Sequence, residues 1–245
     1  MTDTDTETAD MTAGTEVIAM HGWAGDHRAW EPWAALARQR DWSFRCGERG
    51  YGRLEPLLPA WDPASTRRLV LTHSLGPHLL PPALWSQASA AVLLTGFTAF
   101  VPPGRAGRAV AAGLRGMDAQ LAAGEAAATG MLHQFFAKVA DPLPGTQLPQ
   151  GPLEQGIGPL GLRRLRDDLQ ILARCNALPE GFPVGIPVLL VEAQDDRIVA
   201  PESRALLREA LPGATVWSLE RAGHGLLAAE GLVAAVLQWM ADGPA

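Results

Sequence analysis

Three side chains far apart in the chain have the types that acyl transfer through a serine requires. Ser74 lies in "LVLTHSLGPH", Asp196 in "EAQDDRIVAP" and His224 in "RAGHGLL". A serine hydroxyl is a weak nucleophile until an imidazole takes its proton. That imidazole needs a buried carboxylate to orient it and to stabilise its charged form. Asp195 competes with Asp196, and the "DRIVAP" turn favours Asp196 as the acid, with Asp195 a solvated neighbour. Glu192 comes too early, inside an apolar run. Glycines on both sides of His224 suit a loop that must bring a ring up to the serine.

The oxyanion that develops on the attacked carbonyl needs two donors. Backbone N–H groups supply them, one after the nucleophile and one from the loop after an early strand. Here these belong to Leu75 and Trp23. The Trp23 indole is read as a wall of the acyl pocket or as core, and Leu75 as a second apolar wall. His73 adjoins the serine and is assigned to packing or pocket wall, and His21 to structural hydrogen bonding. One departure stands out. The strand–nucleophile–helix turn usually reads G-x-S-x-G, and Thr72 occupies the first glycine position. Gly76 occupies the second. A slightly wider gap between strand and helix is expected to absorb the threonine methyl.

The elements around these residues explain why they could meet. Residues 17–20 form a short apolar run ending at His21. "RRLVLTHS" ends at Ser74, and "ASAAVLLTGF", "IPVLLVEAQDD" and "ATVWSLERAGH" follow the same pattern. Short runs that are apolar on both faces are the mark of buried parallel strands. Helical spacing in "EPWAALARQRDW" and "GLVAAVLQWMAD", and a helix expected from "LGPHLLPPALW", place helices between them. Strands alternating with helices predict a mostly parallel central sheet with flanking helices, an α/β fold. In such sheets, sites form beyond the carboxyl ends of the strands. The candidate serine, acid and histidine all fall there.

The stretch from 101 to 182 breaks the alternation. It reads as helices, with the Pro/Gly-rich "DPLPGTQLPQGPLEQGIGP" as a loop. The expected organisation is a polar acidic tail over 1–14, a core from 15–100 and 183–245, and a helical lid over 101–182.

Composition narrows the partners. The chain has 245 residues, 47% of them hydrophobic, and a net charge of −6. No long basic run offers phosphate neutralisation, so nucleic acid is not expected as a partner. No apolar run reaches the roughly 18 residues that span a bilayer, so no membrane partner is expected either. Cys46 and Cys175 make no disulfide framework, and a cytoplasmic location is expected. No histidine or cysteine spacing suggests a metal, and no cofactor is required.

The motifs "HGW" with Trp30 seven residues on, "HSLG", "GLRRLRDDLQ", "DDRIV" and "AGHGLL" resemble the α/β-hydrolase superfamily along nearly the whole chain after the tail. The order Ser, Asp, His is the order of that superfamily. Within it, the likeness is to the esterases of biotin synthesis, with "HGWAGDHRAW" and "ERGYG" similar to the cyanobacterial version. The resemblance implies hydrolysis of the methyl ester of pimeloyl-acyl-carrier protein by a monomer, through an acyl-enzyme. It also implies that Phe135 lines the substrate channel, with Phe136 as its helical neighbour. Lid cations, Arg163, Arg164 and Arg166 foremost, would meet the acidic carrier protein; the alternative is that they are solvated helix faces. A general short- or medium-chain carboxylesterase and an acyl thioesterase use the same three residues. A non-catalytic ligand-binding protein on this fold would lack or displace one of them.

Overall fold

The computed structural model describes residues 14–229 and 231–243. The acidic tail expected over 1–14 therefore lies outside the described residues except for Gly14.

The chain opens with β1 (Thr15–Met20), a 3-10 turn (His27–Trp30) and α1 (Glu31–Arg38). Next come β2 (Ser43–Cys46), β3 (Arg67–His73), α2 (Pro82–Trp85) and β4 (Ala90–Leu94). Three long helices follow: α3 (Gly104–Ala122), α4 (Glu125–Ala140) and α5 (Pro159–Arg174). The chain then runs through β5 (Val188–Ala193), α6 (Pro201–Ala210), β6 (Thr215–Leu219) and α7 (Leu232–Asp242).

The six strands form one sheet in the order β2-β1-β3-β4-β5-β6. Every pairing is parallel. The central strands β1, β4 and β5 are buried at every residue. That agrees with apolar runs lacking alternation. Side chains alternate across the sheet, so each strand feeds two cores. One core joins Ile18, Met20, Val70, Leu93 and Leu190 to Leu114 of α3, Leu132 of α4 and Leu165 of α5. The other joins Val17, Leu69, Leu71, Val92 and Val191 to Trp33 of α1 and to Val236 and Met240 of α7. Among the described residues, no helix is long and apolar enough to cross a membrane.

Three sequence expectations change. First, "SFRC" is a strand: β2 pairs with β1 at the sheet edge, where half its residues face solvent. A four-residue run with Arg45 in it carries too little apolar signal to be seen in advance. Second, no full helix follows Ser74. A 3-10 turn spans Gly76–Leu79, and α2 is a single turn after Pro81. Two prolines cause this. Pro81 and Pro82 remove N–H donors, and a residue preceding proline is pushed to extended geometry; Leu80 has φ −89° and ψ 142°. Third, "AGRAVAAGLRGMDAQLAAGEAAATGMLHQFFAKVA", which reads as one helical piece, is two helices. Gly124, at φ 108°, breaks it in a conformation closed to other residues.

Candidate active site

Ser74 follows directly on β3 and has φ 55°. A non-glycine residue in the left-handed region costs roughly 1–2 kcal/mol, so the surrounding structure must hold it there. The Ser74 N–H donates to the Leu94 carbonyl of β4 at 2.9 Å. Two glycines allow the close approaches. A Cβ on Gly76 would lie 2.4 Å from the Met20 carbonyl oxygen, and one on Gly22 would lie 2.8 Å from the Ser74 Cβ. The tight contacts of the turn are thus made at Gly22 and Gly76, against β1 and its following loop.

Thr72 sits one step further back and is fully buried. It pairs with Met20 on one side and Leu93 on the other, and its hydroxyl donates to the Val92 carbonyl at 3.4 Å. The helix itself is replaced by a 3-10 turn, and the threonine fits in the strand with its polar group paired.

The structure separates the two candidate acids. Asp195 is exposed, whereas Asp196 is buried at 9% exposure. Asp196 Oδ2 accepts from His224 Nδ1 at 2.9 Å. Its Oδ1 accepts from the N–H groups of Ile198 at 2.7 Å and Val199 at 2.9 Å. Burial works to raise this carboxyl's pKa, but His224 and the two N–H donors outweigh it and hold the pKa below its ordinary value. The bond to Nδ1 leaves Nε2 as the ring nitrogen able to accept a proton. His224 and Ser74 line the same cavity. Glu192, by contrast, points at Arg208, 3.2 Å away, and takes no part.

The loop after β1 brings Trp23 to the same place. Ala24 has φ 59°, and Asp26 caps the next 3-10 turn by accepting from the Arg28 N–H at 2.9 Å. Among the described residues, no protein acceptor takes the backbone N–H of Trp23 or of Leu75. The Trp23 indole donates to the Leu165 carbonyl of α5 at 2.9 Å and meets the Phe135 ring edge-on at 5.0 Å. It is therefore both buried and a wall. Leu75 corrects an expectation: its side chain is fully buried in the core and lines neither cavity at Ser74.

Two cavities meet at Ser74, Trp23 and Phe135. One, of about 580 Å³, is lined by residues 21–26, His73, His224 and the loop 148–151. The other, of about 1170 Å³, runs between α3 and α4 past Val110, Gly113, Met117 and Met131 to Leu172 and Ile198. Among the described residues, its only charged lining residues are Lys138 and Arg197. Phe136 lines the smaller cavity.

Of Arg163, Arg164 and Arg166 on α5, the first is exposed, the second donates to the Gly50 carbonyl at 2.8 Å, and the third pairs with Asp118 at 2.8 Å. Asp168, four residues after Arg164, is buried and belongs to no surface cluster. It accepts from Arg49 Nε at 2.8 Å and Nη2 at 2.6 Å, and from the Tyr51 hydroxyl at 2.5 Å. This network ties α5 to the loop after β2. Glu48 knits that same loop to the one after β1, accepting from the N–H groups of His27 at 2.9 Å and Gly50 at 2.6 Å. Burial opposes its ionisation, but these donors and His21 hold its pKa at about 2. Sequence reading gave no role to Arg49, Tyr51 or Glu48. Their partners lie up to 119 residues away, and only the "ERGY" string marks them.

No protein-family model matches the chain. No curated protein matches its sequence. Solved structures do match across almost all of it. A bromoperoxidase from Bacillus anthracis superposes with a TM-score of 0.68 at 15% identity, over 93% of this chain and 92% of that one. An esterase from Exiguobacterium antarcticum gives 0.62 at 18% identity, over 92% and 91%. An esterase from Rhodococcus sp. ECU1013 gives 0.59 at 20%, over 95% and 92%. The fold is the α/β-hydrolase fold. Within the α/β-hydrolase fold, this chain carries its serine on the turn after β3, its buried carboxylate after β5 and its histidine after β6.

Proposed function

We propose that the protein is a serine hydrolase of carboxylic esters, with Ser74 as nucleophile, His224 as base and Asp196 as its orienting acid. One observation carries this reading. A serine held at positive φ faces a cavity together with a histidine whose far nitrogen is bonded to a buried carboxylate. The sequence of steps follows from those atoms. Ser74 Oγ gives its proton to His224 Nε2 and attacks the ester carbonyl. The oxyanion is met by the N–H groups of Trp23 and Leu75. The C–O bond to the alcohol breaks as His224 returns the proton to the leaving oxygen. Water, deprotonated by the same nitrogen, then releases the acid and restores the serine.

The finer proposal is the methyl ester of pimeloyl-acyl-carrier protein, in biotin synthesis. The motif resemblance supports it, and so does a cavity between α3 and α4 whose mostly apolar lining would hold an acyl chain. Carrier contact through Arg163, Arg164 and Arg166 belongs to the same proposal. The Arg166–Asp118 pair is exposed, so an acidic partner could replace Asp118 at little cost. The test is methanol release from methyl pimeloyl-carrier protein by wild type and Ser74→Ala. Release that disappears in the variant supports both readings. Wild type that cleaves only p-nitrophenyl esters keeps the hydrolase and removes the biotin assignment. Cleavage of neither substrate removes both.

A further inference from the structure

Sequence reading treats His73, the residue before the nucleophile, as wall or packing. Its ring is nearly buried and its Nε2 lies 2.9 Å from the His224 carbonyl oxygen. A carbonyl oxygen only accepts, so His73 must carry its proton on Nε2. The two imidazole rings lie 4.9 Å apart. We infer that His73 is a positioning residue for the base, fastening the backbone of His224 to the strand that carries Ser74. This inference rests on the reading of Ser74 and His224 as nucleophile and base.

The surroundings of His224 show why such a tie matters. Its loop is glycine on both sides, and glycine fixes little by itself. Gly225 N–H donates to the Val139 carbonyl at the end of α4, and Gly223 packs so closely that a Cβ would lie 1.9 Å from the Asp141 carbonyl oxygen. Those contacts join the histidine loop to the lid. Leu226 N–H also reaches the His224 carbonyl, at 2.9 Å, but from within the same loop. His73 alone among these partners belongs to β3, the strand leading into Ser74. It therefore sets the distance between nucleophile and base independently of the lid. Burial and the neighbouring His224 push the His73 pKa down to about 3, so the ring stays neutral beside a base that becomes cationic during turnover.

Side-chain reach makes the test sharp. A glutamine amide nitrogen sits at about the same reach as histidine Nε2 and can donate to the same carbonyl; asparagine reaches only as far as Nδ1. With p-nitrophenyl butyrate, His73→Asn is expected to lower kcat about 10- to 100-fold with KM within about twofold, because a base displaced by roughly 1 Å loses that much. His73→Gln should stay within about threefold of wild type. Equal losses in both variants, or none in His73→Asn, would overturn the inference. A measurement on wild type needs no variant to fold: 15N NMR should show His73 as the Nε2–H tautomer, and an Nδ1–H tautomer overturns the tie. Wild type that neither hydrolyses esters nor reacts with a fluorophosphonate overturns the reading of the whole site, which is a different result from an active wild type with an indifferent His73.

Discussion

Replacing Asp196 by asparagine keeps the shape of the side chain and changes only what it can accept. Asp196 Oδ1 takes two backbone N–H groups, and Oδ2 takes His224 Nδ1. Asparagine has one oxygen for these three donors. If the oxygen stays on Ile198 and Val199, the amide NH₂ faces Nδ1. His224 must then shift its proton to Nε2, the nitrogen that has to accept from Ser74. If the amide flips, two buried N–H groups lose their partner at about 1–3 kcal/mol each. The first arrangement therefore wins, and it holds the base in the wrong tautomer. The expected loss is on the order of 10³- to 10⁴-fold in kcat, which is about 4–5.5 kcal/mol of barrier. KM should move little, because Asp196 lines neither cavity. Steady-state hydrolysis of a p-nitrophenyl ester, with a thermal melt to show that the variant is folded, reads both effects. Activity within tenfold of wild type, or an equal loss in Asp195→Asn, would refute the reasoning.

Gly22→Ala places a methyl 2.8 Å from the Ser74 Cβ; overpacking of this kind costs about 1–3 kcal/mol and should lower both Tm and kcat, read by melting and turnover on one preparation. Asp168→Ala strips the partner from Arg49 and from the fully buried Tyr51 hydroxyl. Arg49 is partly exposed, so the loss sits at the low end for a broken buried pair, about 3 kcal/mol, or about 6–12 °C in Tm for a chain of this size. Gly113→Leu enters open space on the larger cavity and should cut hydrolysis of a long p-nitrophenyl ester at least about tenfold relative to a butyrate without lowering Tm, since leucine favours a helix over glycine. For His73 the sign is that of a depressed pKa: unfolded chains bind its proton below about pH 6.5, and the folded protein resists until about pH 3. Its contribution to stability is complete above pH 6.5 and is lost as pH falls, at up to about 1.4 kcal/mol per pH unit. Denaturant unfolding between pH 6.5 and 4.5 should show a shallower decline in His73→Gln, while His78, also depressed by burial, keeps part of the slope.

Much of this architecture could be read from local pattern. β1, β4 and β5 are wholly buried, and runs such as "VLLVEA" and "AAVLL" have no alternation to confuse them. Ser74 and Asp196 stand just beyond largely buried runs, whereas the candidate histidine follows the mostly exposed β6 and is marked by its flanking glycines. What local pattern hides is of three kinds. β2 is an edge strand of four residues, held by pairing with β1 and not by its own hydrophobicity. The turn after Ser74 is decided by Pro81 and Pro82, which end a pattern that otherwise looks helical. Roles such as those of His73 and Asp168 exist only through partners 151 and up to 119 residues distant. Leu75 marks the same boundary from the other side: the direction of its side chain is set by the core beneath it, which local pattern does not show.

The central claim is that Ser74 is a nucleophile activated by His224. Reaction with a fluorophosphonate, followed by intact-mass measurement and peptide mapping, tests it most directly because no substrate need be known. The account predicts one adduct per chain, on Ser74, formed rapidly in wild type and at least about 10³-fold more slowly in His224→Ala. No adduct, an adduct on another residue, or labelling that is indifferent to His224 would contradict it.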